Sequence, residues 1–217
     1  STENYFKNRQ KTNFNIKRLQ LIKTHIKGNV LKNNLSRAVA FEELMKIENQ
    51  DNHEKFLQNF LLVNTSKPYL KEVLDLHNDI QNMSTGKILP ELKLQDHLLN
   101  TISTVKLINK PTVFYFWSQT QMSHYKNTII KVKDLEKRFP KYDFKGICIQ
   151  PFNEIVFEVH RMMNIDPKTQ LAFTNFDNDS KKWVLSLLNR AIIVEANRKI
   201  KEGFANFSST DFEDLLY

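Results

Sequence analysis

Few residues in this 217-residue chain are of types that do covalent or metal chemistry. One cysteine is present, Cys148, set between Ile147 and Ile149. A single thiol excludes an internal disulfide, a CxxC redox pair and any multi-cysteine zinc site. An intermolecular bridge or a lone reactive thiol stays open. Apolar neighbours raise a thiol's pKa and make it inert, so Cys148 is expected in the core. His124 has only Gln121, Ser123 and Tyr125 as local donors, too few for a metal site. His25, His53, His77, His97 and His160 have no neighbours at metal-binding spacing, and HExxH is absent. Asp177 and Asp179, with Asn175 and Asn178, have the composition of a calcium loop without its glycine and terminal glutamate. Asp179 or Asn178 is expected to cap a helix instead. With 4 glycines and no GxGxxG, Walker loop or GxSxG, the chain offers no cradle for phosphates. Neither a cofactor, a metal nor a nucleotide is expected.

The charge is lopsided. Of a net +8, residues 1–34 carry +7: Lys7, Arg9, Lys11, Lys17, Arg18, Lys23, Lys27 and Lys32 against Glu3. Such a cluster attracts anions without selecting among them. It is expected to be a solvated basic face, beside a membrane or another negatively charged surface, with Lys17, Arg18, Lys23 and Lys27 as candidate contacts. No interleaved aromatics or recognition-helix pattern point to specific nucleic-acid binding. No run of about 18 apolar residues suggests a membrane span, and the polar opening Ser1 to Phe6 does not read as a signal peptide.

The elements that must position these residues fall into two groups. Ile16, Leu19, Ile22, Ile26 and Val30 form one apolar stripe at helical spacing. Asn33 or Asn34 is expected to cap a second helix from Leu35 to Glu48, packing Val39, Phe41, Leu44 and Ile47. A third begins near Asp51 and buries Phe56, Phe60, Leu61 and Val63. Pro68 opens a fourth, where a first-turn proline is tolerated. Residues 1–85 therefore read as a small all-helical domain. After Gly86 and Pro90 the pattern alternates, so residues 86–217 read as an α/β domain on a mixed sheet. Strands are expected at Leu89 to Leu94, Val113 to Trp117, Phe144 to Ile149 and Ala191 to Val194, the last turning at Asn197-Arg198 into Ile200 to Phe204. Helices are expected from Gln119 to Phe139, Glu154 to Met163, Ser180 to Leu187 and Asp211 to Leu216.

Several of these segments resemble the thioredoxin-like superfamily, in particular the TlpA/ResA-type thiol–disulfide proteins of the bacterial envelope. Gly86 with Pro90-Glu91-Leu92-Lys93-Leu94 is similar to the family's entry segment. Lys110-Pro111-Thr112-Val113-Phe114-Tyr115-Phe116-Trp117-Ser118 resembles the strand that leads into WCxxC. Lys141 to Ile147 is similar to the next strand, and Asn189 to Ile200 resembles the strand and hairpin near the end of the domain. The resemblance implies a thioredoxin-like domain in which the two family cysteines fall on Gln121 and His124, and the cis-proline on Asn189. Disulfide exchange needs an attacking thiolate and a second thiol to release the mixed intermediate. An amide and an imidazole supply neither. A cis bond before a non-proline costs about 2.5–4 kcal/mol, so the Leu188-Asn189 bond is expected to be trans. The family's turn glycine falls on Arg198, with Asn197 beside it to take the left-handed conformation. The expected function is a redox-inactive binding or adaptor module, its partner a protein or peptide, with an envelope location implied by the resemblance. The alternative is redox chemistry relocated to Cys148.

Overall fold

The computed structural model describes residues 12–46 and 52–217, and the chain divides into two compact units, Ser1–Ile80 and Gln81–Tyr217. Lys7, Arg9, Lys11, Ile47, Glu48 and Asp51 lie outside the described residues.

The described helices that begin in the first unit are α1 (Thr12–His25), α2 (Asn29–Leu44), α3 (His53–Leu61) and α4 (Lys67–Asn82). The stripe expected to run unbroken to Val30 stops short of it. Gly28 adopts an extended conformation as the N-cap of α2 (φ −75, ψ 120), so the helix restarts at Asn29. Glycine is the weakest helix former apart from proline and is accepted at N-caps, which explains the break. Ile16 and Leu19 are buried, whereas Val30 is 78% exposed. α2 thus starts six residues earlier than expected, and Asn33 lies inside it rather than capping it. The Asn33 side chain accepts from the Thr65 backbone N–H at 2.9 Å, tying the α3–α4 turn to α2. Leu61, expected in the core, is 46% exposed because α3 ends there; Val63 is buried instead. Asn15 donates to Glu43 at 2.7 Å and Arg18 to Glu42 at 2.8 Å, so α1 and α2 run antiparallel.

The second unit is built on a seven-stranded mixed sheet. Its strands are β1 (Lys93–Gln95), β2 (Thr101–Ser103), β3 (Thr112–Trp117), β4 (Asp143–Cys148), β5 (Gln170–Phe173), β6 (Arg190–Val194) and β7 (Ile200–Asn206), in the order β2-β1-β5-β4-β3-β6-β7. β3, β4 and β5 are parallel; β6 runs antiparallel to β3 and β7 antiparallel to β6. All six residues of β3 are buried, as its unbroken apolar run requires of a central strand. Around the sheet lie α5 (Thr104–Leu107), α6 (Met122–Arg138), α7 (Glu154–Met162) and α8 (Phe176–Asp179).

Three local departures from expectation have physical causes. β5 was not anticipated: at four residues it is too short to show a period, although all four are buried. The helix expected from Ser180 to Leu187 shrinks to α8 and a 3-10 turn, Ser180–Trp183, ended by Val184 in the left-handed region (φ 52). Asn175 caps α8, accepting from Asn178 N–H, and Asp179 stands at the N-cap position of the 3-10 turn without a side-chain capping bond. In the hairpin, Arg198 itself takes the left-handed conformation (φ 68), while the Asn197 side chain accepts from Lys199 N–H at 2.9 Å.

Two close approaches fix the packing. Arg190 is only 7% exposed, and its guanidinium donates to the carbonyls of Trp183, Val184 and Gly203 while lying over the Phe204 ring at 4.2 Å. Burial lowers its pKa to about 9, with Glu202 opposing the shift, so it remains a cation at neutral pH. Gly146 faces Tyr115 and Gln170 so closely that an added Cβ would stand 2.3 Å from Gln170 Oε1 and 2.7 Å from Tyr115 Cζ. Gly146→Ala is therefore expected to destabilise the protein by about 1–3 kcal/mol, the usual cost of overpacking. Gly28→Ala, with nothing within 4 Å of the new methyl, is expected to cost less. Urea denaturation of the two variants checks the order.

Candidate functional site

The corner singled out by the resemblance is formed where β3 ends and α6 begins. Gln121 is the N-cap residue of α6: its carbonyl accepts from Tyr125 N–H at 3.0 Å, and its exposed side chain makes no capping bond. His124, in the first turn, is half-buried, and its Nδ1 is shielded from solvent with no hydrogen-bond partner. No cis peptide bond occurs among the described residues, so Leu188-Asn189 is trans. The Asn189 side chain donates to Asn206 Oδ1 at 3.2 Å and its carbonyl accepts from Phe207 N–H, which holds it against the β7 end. The β3–β6 pairing sets Tyr115 opposite Ala191; extended by two residues, it sets Asn189 opposite Trp117.

Trp117 is wholly buried rather than lining an open groove. Its indole stacks on the Tyr125 ring at 3.9 Å between centroids and 16° between planes, with Phe152 and His160 at 6.3 and 5.7 Å. Tyr125 Oη donates to Gln170 Oε1 at 3.3 Å and pairs with His160 Nε2 at 2.9 Å. A phenol has one proton to give, so the His160 nitrogen must supply the other and Nε2 carries a hydrogen. Nδ1 is then a buried acceptor, and it has no partner. Gln170 also donates to Tyr115 Oη at 2.8 Å, which carries the network across the sheet. Burial drives both phenols well above the usual tyrosine range, so neither ionises.

Cys148 lies beside Trp117 in the β3–β4 register and is fully buried. Desolvation pushes its pKa up, which hydrogen bonds from Gln150 and Gln119 only partly offset. These two glutamines lie against the sulfur, at 3.7 Å from Gln119 Nε2 and 3.4 Å to Gln150 Oε1. They are themselves tied down: Gln150 donates to Ser118 Oγ at 2.9 Å, and Gln119 accepts from Asn153 and donates to the Pro151 carbonyl, both at 2.6 Å. Carboxamides and a hydroxyl thus bind the ends of β3 and β4 together. None is a nucleophile or proton carrier near neutral pH.

Sequence reasoning identified Gln121, His124, Asn189 and Trp117 but missed Gln119, Tyr125, Gln150, His160 and Gln170. Of these, only His160 gave a readable signal, falling four residues after Val156 on α7, where both are buried. His160 also lines an open cleft with His97, Phe157, Arg161, Ile165 and Pro167. Among the described residues no three His, Cys, Asp or Glu side chains are grouped to hold a metal ion. In the first unit, Lys17, Lys23 and Lys27 are exposed, whereas Arg18 pairs with Glu42 and is not a free cation. No helix among the described residues is long and apolar enough to cross a membrane.

No protein-family model and no curated protein matches the chain. Solved structures do. One is the thioredoxin domain of a thiol-disulfide oxidoreductase from Bacteroides vulgatus, at 17% identity and TM-score 0.47, covering 62% of this chain and 99% of that one. A thiol:disulfide interchange protein from Bacteroides sp. matches at 16% identity and TM-score 0.45, over 54% of this chain and 78% of that one. The thiol peroxidase of Chromobacterium violaceum matches at 14% identity and TM-score 0.49, over 61% and 83%. The fold is a mixed-sheet α/β domain preceded in the chain by a helical region.

Burial lowers the His160 pKa to about 4, against about 6.5 for a free imidazole. Between those values the unfolded chain binds more protons, so stability rises with pH across that window. The contribution is complete above about pH 6.5 and is lost as pH falls towards 4, by at most about 1.4 kcal/mol per unit. His160→Gln is expected to flatten this dependence. His53 and His77, also shifted down by burial, are common to both proteins and cancel in the comparison. Denaturant midpoints from pH 7 to pH 4.5 for wild type and variant provide the measurement.

Proposed function

We propose that this protein is a redox-inactive, thioredoxin-like binding module of the bacterial cell envelope that engages another protein or a peptide. One observation carries the reading. Where the resemblance places two thiols, the first turn of α6 presents Gln121 and His124, while the one thiol in the chain is buried under Gln119 and Gln150. Thiol–disulfide exchange starts with a thiolate that must reach a sulfur in line. Cys148 lacks both access and ionisation: burial raises its pKa and its neighbours close over it. The same facts weigh against chemistry relocated to Cys148. The envelope location follows from the resemblance to exported thiol–disulfide proteins.

The folded protein is expected to give no insulin reduction with dithiothreitol above the reagent's own rate. Cys148 is expected to react with a disulfide reagent at least about a hundredfold more slowly in native buffer than in denaturant, as buried structural thiols do. Turnover that disappears in Cys148→Ser, or a fast-reacting native thiol, would establish the relocated chemistry and reject the binding-module reading.

A further inference from the structure

The α1–α2 hairpin ends in a tip whose composition is unlike the rest of the molecule. Between residues 4 and 41 the chain has nine Lys or Arg and no Asp or Glu. Two of the cations are neutralised by acids from outside that stretch: Arg18 pairs with Glu42 and Arg37 with Glu72. Lys17, Lys23, Lys27 and Lys32 pair with no carboxylate among the described residues, and three of them are exposed. Because Asn15 meets Glu43 and Arg18 meets Glu42, the bend at residues 26–28 lies at the far end of the hairpin from these contacts.

Aliphatic side chains share this tip. Val30 and Leu31, in the first turn of α2, are 78% and 53% exposed. Leu21, one turn from the end of α1 and four residues after Lys17, is 58% exposed. Exposed aliphatic groups occur elsewhere on the protein, but these three fall within its acid-free basic stretch, and a face made for nucleic acid would carry aromatics or forked donors for bases. Lysines around aliphatic side chains suit one chemistry well. The ammonium groups stay with anionic headgroups while the alkyl groups enter the acyl boundary.

We infer that the α1–α2 tip docks this protein on an anionic lipid surface, with Leu21, Val30 and Leu31 inserted at the headgroup boundary and Lys23, Lys27 and Lys32 held by lipid phosphates. The contact is peripheral and reversible. Each lysine near such a surface contributes roughly a fivefold gain in partitioning, and the contribution decays within a Debye length, so salt weakens it.

The test is flotation of the full chain with phosphatidylcholine vesicles, with and without one-third phosphatidylglycerol, at low and high salt. Binding is expected only with phosphatidylglycerol, and it is expected to fall steeply as salt rises. Lys23→Gln, Lys27→Gln and Lys32→Gln together are expected to lower partitioning at least tenfold. Val30→Ser with Leu31→Ser leaves the charge unchanged and is also expected to lower it severalfold. These positions are exposed, and circular dichroism verifies that the helices persist. Three results would each overturn the inference. They are no binding at low salt, binding indifferent to Val30→Ser with Leu31→Ser, and tighter binding to duplex DNA than to the anionic vesicles.

Discussion

The second unit is organised around the contact between Trp117 and Tyr125. One ring ends the central strand and the other lies in the first turn of the helix that follows, so their stacking fixes the angle at which the chain leaves the sheet. Offset or parallel aromatic pairs contribute about 0.5–1.5 kcal/mol beyond the area they bury. The larger effect is positional. With both rings in place, the Tyr125 hydroxyl is set deep enough to reach α7 through His160 and β5 through Gln170, and Gln170 in turn reaches Tyr115. Gly146 has no side chain because this network passes directly over its backbone.

A buried polar network stabilises a fold only if its members are satisfied, since an orphaned group costs about 1–3 kcal/mol. Here the phenols and Gln170 satisfy one another, while His160 Nδ1 and the neighbouring Trp117 Nε1 are left without a partner. A second set of polar groups, Gln119, Gln150, Asn153 and Ser118, closes the strand ends near Cys148. The two sets have a common chemical character: they hold hydrogen bonds and do not exchange electrons. The corner where β3 ends and α6 begins is thereby held as a structural junction.

How much of this could be read in advance depended on length and locality. β3 was legible because five consecutive apolar residues admit few other readings, and α6 because Ile129, Val132, Leu135 and Phe139 fall at helical spacing. β5 was not, because Gln170 opens it and four residues show no period. The break at Gly28 was passed over because Val30 continued the helical spacing arithmetically, although glycine gave the warning. Gln121, His124 and Asn189 were visible only through the resemblance of the flanking segments to the thioredoxin-like superfamily. The bonds that join Tyr125 to His160 and Gln170 were invisible for a physical reason: these partners are 35 and 45 residues away, and local spacing holds no record of such contacts.

Arg190 has the opposite property. The carbonyls that receive its guanidinium belong to residues 6, 7 and 13 positions away. Closing such short loops costs little chain entropy, and the cost grows only logarithmically with length. The turn ending at Val184, strand β6 and strand β7 are therefore tied to one another through a single buried cation, by contacts that are local in sequence and do not depend on the distant strands of the sheet.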